Sequence, residues 1–335
     1  MQEPSAADGQ AIVRQIERDA WRYTVLRALV SVGCPEQLRD GPRTIADLAE
    51  RCGAHPITLH RMLRAVAQTG LVRSVPPDSY ELTMAGRALL EGRAEKTLKY
   101  NTDPEIWGAF GELTETVRTG EAPFMLRHGN TYSYLSDKPE LAAAFDQLMQ
   151  ANLAPLAASL IQSGVFSGTG TVVDVGGGNG TFLAEILLAN PGLRGILLDL
   201  ERVIPAARQY LTGKGLADRC EFVEGDFFTT MPVGGDEYFV AHVLHNWDDE
   251  RAAAILRKIR AAIPGHGRLF ILEQPLPDDD RPHYGKDLDI RMLTLHRGRE
   301  RSNAEYAALL AGTGFKPGET IALHRDECLL TATPA

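Results

Sequence analysis

A chain of 335 residues has room for two domains of ordinary size, and 44% hydrophobic with 24% charged residues is a globular composition. A net charge of -9 leaves no global basic field to draw in a phosphate backbone, which argues against nucleic acid as the main partner. Cys34, Cys52, Cys220 and Cys328 form no CxxC, the N-terminus lacks a signal-peptide pattern, and no apolar run approaches ~18 residues, so the expectation is a thiol-bearing cytoplasmic protein without membrane span, structural metal or disulfides.

Residues 10–32 read as a helix, with Ile12, Ile16, Ala20, Tyr23, Leu26 and Leu29 at helical spacing. Thr44, with Asp47 three residues later, is an approximate capping box, and a second helix runs from Pro56 to about Thr69, ended by Gly70. Two short strands, 71–75 and 79–83, flank the Pro76-Pro77-Asp78 turn, completing a winged-helix pattern. Residues 84–165 look almost wholly helical, apart from a polar interruption at 129–138. The loop-like 163–170 marks a boundary. These boundaries give three regions: 1–100 winged-helix-like, 101–165 helical, and 166–335.

From residue 171 the texture changes to alternating strands and helices. Strands are expected at 171–175, 195–200, 220–224, 238–244 and 268–274, with helices at 181–189, 204–211 and 248–263 between them. Such alternation implies a parallel sheet covered by helices on both faces, an α/β Rossmann-like domain. A further helix at 302–312 and two strands near 316–323 and 327–333 end the chain.

Asp174-Val175-Gly176-Gly177-Gly178-Asn179-Gly180 sits between the first strand and its helix, where glycine permits a sharp turn and close approach of a ligand. By itself such a cluster is also an ordinary structural turn. A dinucleotide fingerprint would need GxGxxG with pyrophosphate on the helix N-terminus; here the strand ends in an acid, which suits an amino group or cationic centre instead. Asp199, followed by Leu200 at the tip of the second strand, is placed for ribose hydroxyls, although a helix-capping role is the bland alternative. Gly225-Asp226-Phe227 follows the third strand: Asp226 can accept the adenine amino group and Phe227 offers a ring face. Three ligand-directed groups at three successive strand ends make the set specific.

These motifs resemble those of the class I S-adenosylmethionine-dependent methyltransferases. Val243-Leu244-His245-Asn246-Trp247-Asp248-Asp249 is similar to the HxW-D/S-D motif of the two-domain small-molecule O-methyltransferases of plant phenylpropanoid and bacterial polyketide pathways. The resemblance covers roughly residues 10–333. It implies S-adenosylmethionine as methyl donor, no metal, a small aromatic acceptor, and a winged-helix domain that forms a homodimer. It implies His245 as general base, since an imidazole can take the proton of a phenol whose pKa is about 10. Glu273, after the fifth strand, and Glu300, in Gly298-Arg299-Glu300-Arg301-Ser302, match the two acids that orient that histidine. His242, a rival by position, matches a cofactor-contacting residue better.

Trp247 packs against the adenosine or caps the helix that follows. Acceptor-pocket residues are sought in 100–165 and 284–297, among Trp107, Phe110, Phe124, Met125, Phe145, Met149, Asp289 and Met292, all of which also suit a core. His296-Arg297 departs from the small or apolar residues of the family, and a cation there suggests an acceptor carboxylate, against the simpler reading of a solvated pair. Two other functions compete. A transcriptional regulator would use His60, Arg61 and Arg64 on phosphates, and a methyltransferase fold could methylate N or C, or decarboxylate or hydroxylate.

Overall fold

The computed structural model describes residues 6–335, which form two compact units divided between Trp107 and Gly108. In the first, helices Ala6–Ser31, Cys34–Gln37, Ile45–Arg51 and Pro56–Ala67 accompany a small sheet of β1 (Arg43–Thr44), β2 (Val72–Val75) and β3 (Ser79–Leu82), in the order β1-β3-β2. Leu29, Leu48, Leu59, Leu63, Val72 and Tyr80 make its core, drawn from both helices and wing. Thr44 caps as its spacing predicts, its hydroxyl accepting from the Asp47 N–H at 3.2 Å.

In the second unit, seven strands form one sheet: β4 (Thr169–Val175), β5 (Gly192–Asp199), β6 (Cys220–Glu224), β7 (Glu237–Ala241), β8 (Arg268–Glu273), β9 (Phe315–Ala322) and β10 (Cys328–Pro334). Their order is β6-β5-β4-β7-β8-β10-β9. The first five are parallel, while β10 lies antiparallel between β8 and β9. Alternate residues feed two cores. Val172, Leu197, Phe239 and Phe270 face one way, towards helix Thr181–Ala189; Val173, Leu198, Tyr238, Val240 and Ile271 face the other, towards helix Asp249–Ala262. Burial on both faces explains why these strands are near-continuous apolar runs. At Gly195 in β5 helix Thr181–Ala189 packs closely, since a Cβ there would stand 2.9 Å from Leu183 Cδ1.

The sheet grows outward from β4 in both directions, to β5 and β6 on one side and β7 and β8 on the other. The crevice at that switch point, beyond the carboxyl ends of the strands, is where open α/β sheets take ligands. Asp174, Asp199, Glu224 and Glu273 all lie at those carboxyl ends.

Several sequence expectations shift. Helix Pro139–Gln162 belongs to the second unit, because Leu156, Ala157 and Leu160 join Phe182 and Leu183 in one core; 101–165 is therefore not a separate region. The polar stretch 129–138 holds a short helix, Thr131–Ser136, started by the Asn130 side chain accepting from the Tyr132 N–H at 2.7 Å. The strand expected to 244 ends at Ala241. His242 turns into the left-handed region (φ 51°), and Leu244–Asn246 coils into one 3₁₀ turn.

Candidate active site

A cavity of about 360 Å³ opens at the switch point. Asp174, Gly176, Gly178, Asp199 and Leu200 line it from β4, β5 and the turns that follow. Asp226, Phe227, His242 and Trp247 close it from the β6 and β7 side. Phe145 and Met149 contribute from helix Pro139–Gln162, with Tyr132 beside them.

The glycine turn works by letting backbone approach carboxylate. Gly176, Gly178 and Gly180 all have positive φ, and a Cβ on Gly177 would stand 2.6 Å from Asp174 Oδ2. That oxygen is buried and has no hydrogen-bond partner. Burial, and then the nearby charge of Asp199, push the Asp174 carboxyl up to about 8. Asp199 accepts from the Gly178 N–H at 2.8 Å and the Leu200 N–H at 2.7 Å, which fixes its carboxylate at the strand tip. Each of its oxygens retains acceptor capacity for a ligand hydroxyl. Gly225 does not line the cavity. Its N–H donates to the Asp199 carbonyl at 3.0 Å, and a Cβ would meet Thr230, so its role is to seat the β6 turn. Asp226 is exposed and accepts from the Phe228 N–H at 2.9 Å, presenting Phe227 to the cavity. Phe228 and Trp247 meet edge to face at 4.8 Å. The helix after Trp247 is capped by Asp248, whose carboxylate accepts from the Arg251 N–H, so Trp247 is no cap.

A second cluster stands next to this cavity. His245 is buried, with Nδ1 2.7 Å from Glu300 Oε1 and 3.6 Å from Glu273 Oε2. Glu273 also accepts from the His245 N–H at 3.2 Å. Burial opposes a charge on the imidazole, but Glu273 and Glu300, with Glu327 farther out, outweigh it and raise its pKa to about 9. Because Nδ1 is committed to Glu300, Nε2 is the nitrogen left to accept a proton. Donor atoms of His242, His245 and Glu273 lie within 4.8 Å of one another, but Nδ1 of His245 is already engaged by Glu300 at 2.7 Å.

Sequence reasoning missed what holds this cluster. Arg301 is 1% exposed; its guanidinium donates to the carbonyls of Leu244 (3.0 Å) and Trp247 (2.8 Å) and pairs with Asp249 at 2.8 Å. It thereby clamps both ends of the segment that carries His245. Gly298 lets the Glu300 segment lie directly on it, since a Cβ there would be 2.0 Å from the His245 carbonyl oxygen. Asp289 acts on the same segment, its carboxylate accepting from the Glu300 N–H at 2.7 Å. The one available signal for Arg301 was its place beside Glu300.

The remaining pocket expectations divide. Phe145 and Met149 line the main cavity, whereas Trp107 lies in the first unit, its ring against Tyr23 and under Arg27. Phe124 is fully buried against Tyr134, and Met292 is buried in its helix. Met125, His296 and Arg297 border a minor cavity. Burial, His245 and Arg291 push His296 down to about 3. Arg297 is 53% exposed and paired with Glu121 at 3.0 Å, which leaves it little reason to seek an acceptor carboxylate.

A mostly parallel sheet with acids at the tips of its first two strands and a glycine turn between them defines a class I methyltransferase. The family model of the O-methyltransferase domain matches residues 110–316, and an N-terminal domain model matches 22–102. The mitomycin biosynthesis 6-O-methyltransferase of Streptomyces lavendulae is 38% identical over 316 residues, 92% of this chain and 90% of that one. The solved mitomycin 7-O-methyltransferase MmcR superposes with a TM-score of 0.92 at 36% identity, covering 98% of each chain. NcsB1, from neocarzinostatin biosynthesis and solved with S-adenosylmethionine and 2-hydroxy-5-methyl naphthoic acid, superposes at 0.84 with 30% identity, over 93% of this chain and 96% of that one. The chain belongs to the O-methyltransferase family and is an S-adenosylmethionine-dependent enzyme. A transcriptional regulator is thereby set aside, while the relatives include the aclacinomycin 10-hydroxylase RdmB of Streptomyces purpurascens, 34% identical over 300 residues, 87% of this chain and 80% of that one. Among the described residues no helix is long and apolar enough to cross a membrane.

Replacing Arg301 with Met removes both carbonyl clamps while keeping the side chain's apolar length. Turnover should fall about 10²-fold through misplacement of the His245 segment, since displacements of about 1 Å carry such costs. Steady-state kinetics of the folded variant checks this, and a kcat within twofold of wild type would refute the clamp.

Proposed function

We propose that the enzyme methylates a hydroxyl of a small aromatic natural-product intermediate, with His245 as general base held by Glu300 and Glu273. The observation that carries this reading is the buried 2.7 Å contact between His245 Nδ1 and Glu300, beside a cavity whose walls include Tyr132, Phe145 and Met149. The mitomycin enzyme and the naphthoic acid held by NcsB1 support an aromatic acceptor.

The cavity suits S-adenosylmethionine by its own chemistry. The unpartnered, buried Asp174 oxygen seeks a positive group, Asp199 offers acceptors to ribose hydroxyls, and Asp226 with Phe227 suits a purine. Gly176, Gly178 and Leu200 contribute the backbone around it, with His242 and Trp247 on the opposite wall. When bound, S-adenosylmethionine supplies an electrophilic methyl group on a sulfonium. His245 then accepts the acceptor's hydroxyl proton at Nε2. Glu300 fixes the tautomer and, with Glu273, stabilises the imidazolium. Transfer from a phenol of pKa about 10 to an imidazole near 9 is uphill by only about 1.4 kcal/mol, within the range where general-base catalysis is effective.

His245→Ala should lower kcat by about 10²–10⁴-fold while leaving S-adenosylmethionine affinity intact. The sign of the pH dependence follows from the raised pKa: His245 must be neutral to accept a proton, so activity is lost as pH falls. In the wild type, kcat/KM for the acceptor at saturating S-adenosylmethionine should rise with pH up to about 9 and level off. Full turnover in the alanine variant, or a flat profile below 9, would remove His245 from the mechanism.

Asp174 makes a separate prediction. Its carboxyl titrates near 8, so at pH 7 it is largely protonated, and pairing with a cationic ligand must expel that proton. Titration calorimetry in buffers of different ionisation enthalpy should register release of close to one proton on S-adenosylmethionine binding at pH 7. Asp174→Asn should abolish it; an unchanged proton count in that variant would rule out the assignment.

The homodimer is part of the same proposal. Helix Ala6–Ser31 exposes Ile12, Val13 and Ile16, each at 50% or more, along with Trp21. A face this apolar is costly in water, and a second copy of the chain would cover it. Sedimentation should report a dimer, and Ile12→Glu with Ile16→Glu should shift it to monomer. A wild-type monomer at micromolar concentration would contradict the reading.

A further inference from the structure

The buried cluster around His245 contains a carboxylate that the motif does not include. Glu327 is 4% exposed and sits in the turn between β9 and β10, distant in sequence from every other member. The antiparallel register that pairs Cys328 with Glu273 delivers it there. Its Oε1 accepts from Gln274 Nε2 at 2.7 Å. Its Oε2 is buried, has no hydrogen-bond partner, and lies 3.5 Å from His242 Nε2. The His242 ring borders the main cavity and stands 5.5 Å from the His245 ring, and the two residues share one turn, closed by Asn246 Nδ2 donating to the His242 carbonyl at 2.9 Å.

We propose that Glu327 is a positioning residue of the methyl transfer, acting through His242 on the ring of His245. This rests on His245 being the base. Physically, Gln274 clamps the carboxylate from one side so that its free oxygen faces His242. The His242 ring, in a strained left-handed residue, is held against the cavity wall instead of swinging into it. The negative charge also adds to the field that stabilises an imidazolium at His245. The other charged or titratable groups facing that imidazole are Glu273 from β8, Glu300 from the segment before Ser302, His242 on the same turn, and His296 after helix Tyr284–Leu295. Arg301 lies behind the backbone of that turn. Glu327 reaches the cluster through His242, its Oε2 lying 3.5 Å from His242 Nε2.

The test is the pH profile of single-turnover methyl transfer at saturating S-adenosylmethionine, in wild type, Glu327→Gln and Glu327→Asp, with a phenol pool as acceptor and mass-spectrometric readout. Glu327→Gln keeps the Gln274 contact but removes the charge. Its acidic limb should move to lower pH by half a unit or more and its plateau should fall two- to tenfold. Glu327→Asp should keep the limb within 0.2 unit of wild type. A purely structural glutamate would scale the profile without moving it, so a Glu327→Gln limb within 0.2 unit of wild type overturns the proposal. If Glu327→Gln does not fold, Gln274→Leu takes its place: it releases the carboxylate from its clamp, and the limb should shift in the same direction, an unmoved limb again being the refuting result. A wild type with no acidic limb would instead refute His245 as base, which separates the two failures.

Discussion

Two ionisable side chains meet at 2.7 Å inside the second unit, His245 Nδ1 and Glu300 Oε1, and much of the surrounding structure exists to make that contact tolerable. Taking an imidazolium and a carboxylate out of water is expensive unless both are paired and their backbones are fixed. Here each backbone has its own support. Glu273 accepts the His245 N–H, Asp289 accepts the Glu300 N–H, and Arg301 holds the carbonyls on either side of His245. Gly298 supplies the absence of a side chain that lets the two segments touch. Removing any one support leaves a buried charge or an orphaned backbone group, so the cluster tolerates little rearrangement.

The donor side is organised on a different principle. Its carboxylates are presented by strand ends and held by backbone N–H groups, and Asp174 stays unpartnered and biased towards its neutral form until a positive group arrives. A site of this kind stores electrostatic demand at its floor, whereas in the His245 cluster the imidazole already has carboxylate partners in Glu300 and Glu273. The two meet across the turn from Ala241 to Trp247, where His242 and Trp247 face the cavity and His245 faces the acids. The early end of β7 matters for that reason. A strand continued to Leu244 would alternate side chains across the sheet, while the left-handed step at His242 turns the next residues over its edge.

Much of this was legible in the chain. The helix Thr181–Ala189 and strand Cys220–Glu224 match their expected limits, because Gly180 precedes the helix and Gly225 follows the strand, so turn signals leave few alternatives at those ends. Asp174, Asp199 and Asp226 are each within a few residues of a strand end, so local pattern alone placed them at one edge of the sheet. The His245 and Glu300 pairing needed the family's motifs in addition, since 55 residues separate them and nothing local links them. Some side chains have two uses: Asp289 and Arg297 suit an acceptor pocket and a surface or backbone contact equally well, and here Asp289 accepts from the Glu300 N–H while Arg297 pairs with Glu121.

What the sequence determined by itself, then, is everything carried by short-range periodicity and turn chemistry: the strand and helix alternation, the glycine turn, and the acids that end the strands. Tertiary structure decided what depends on strand order. Whether β10 would lie beside β8 or at the edge cannot be read from its residues, yet that insertion sets Glu327 against Gln274 and His242. The same holds for Arg301, whose burial beneath the His245 turn is a property of how helix Asn303–Ala311 packs against its neighbours. Periodicity records which face of an element is apolar, and only the packed sheet records which elements those faces meet.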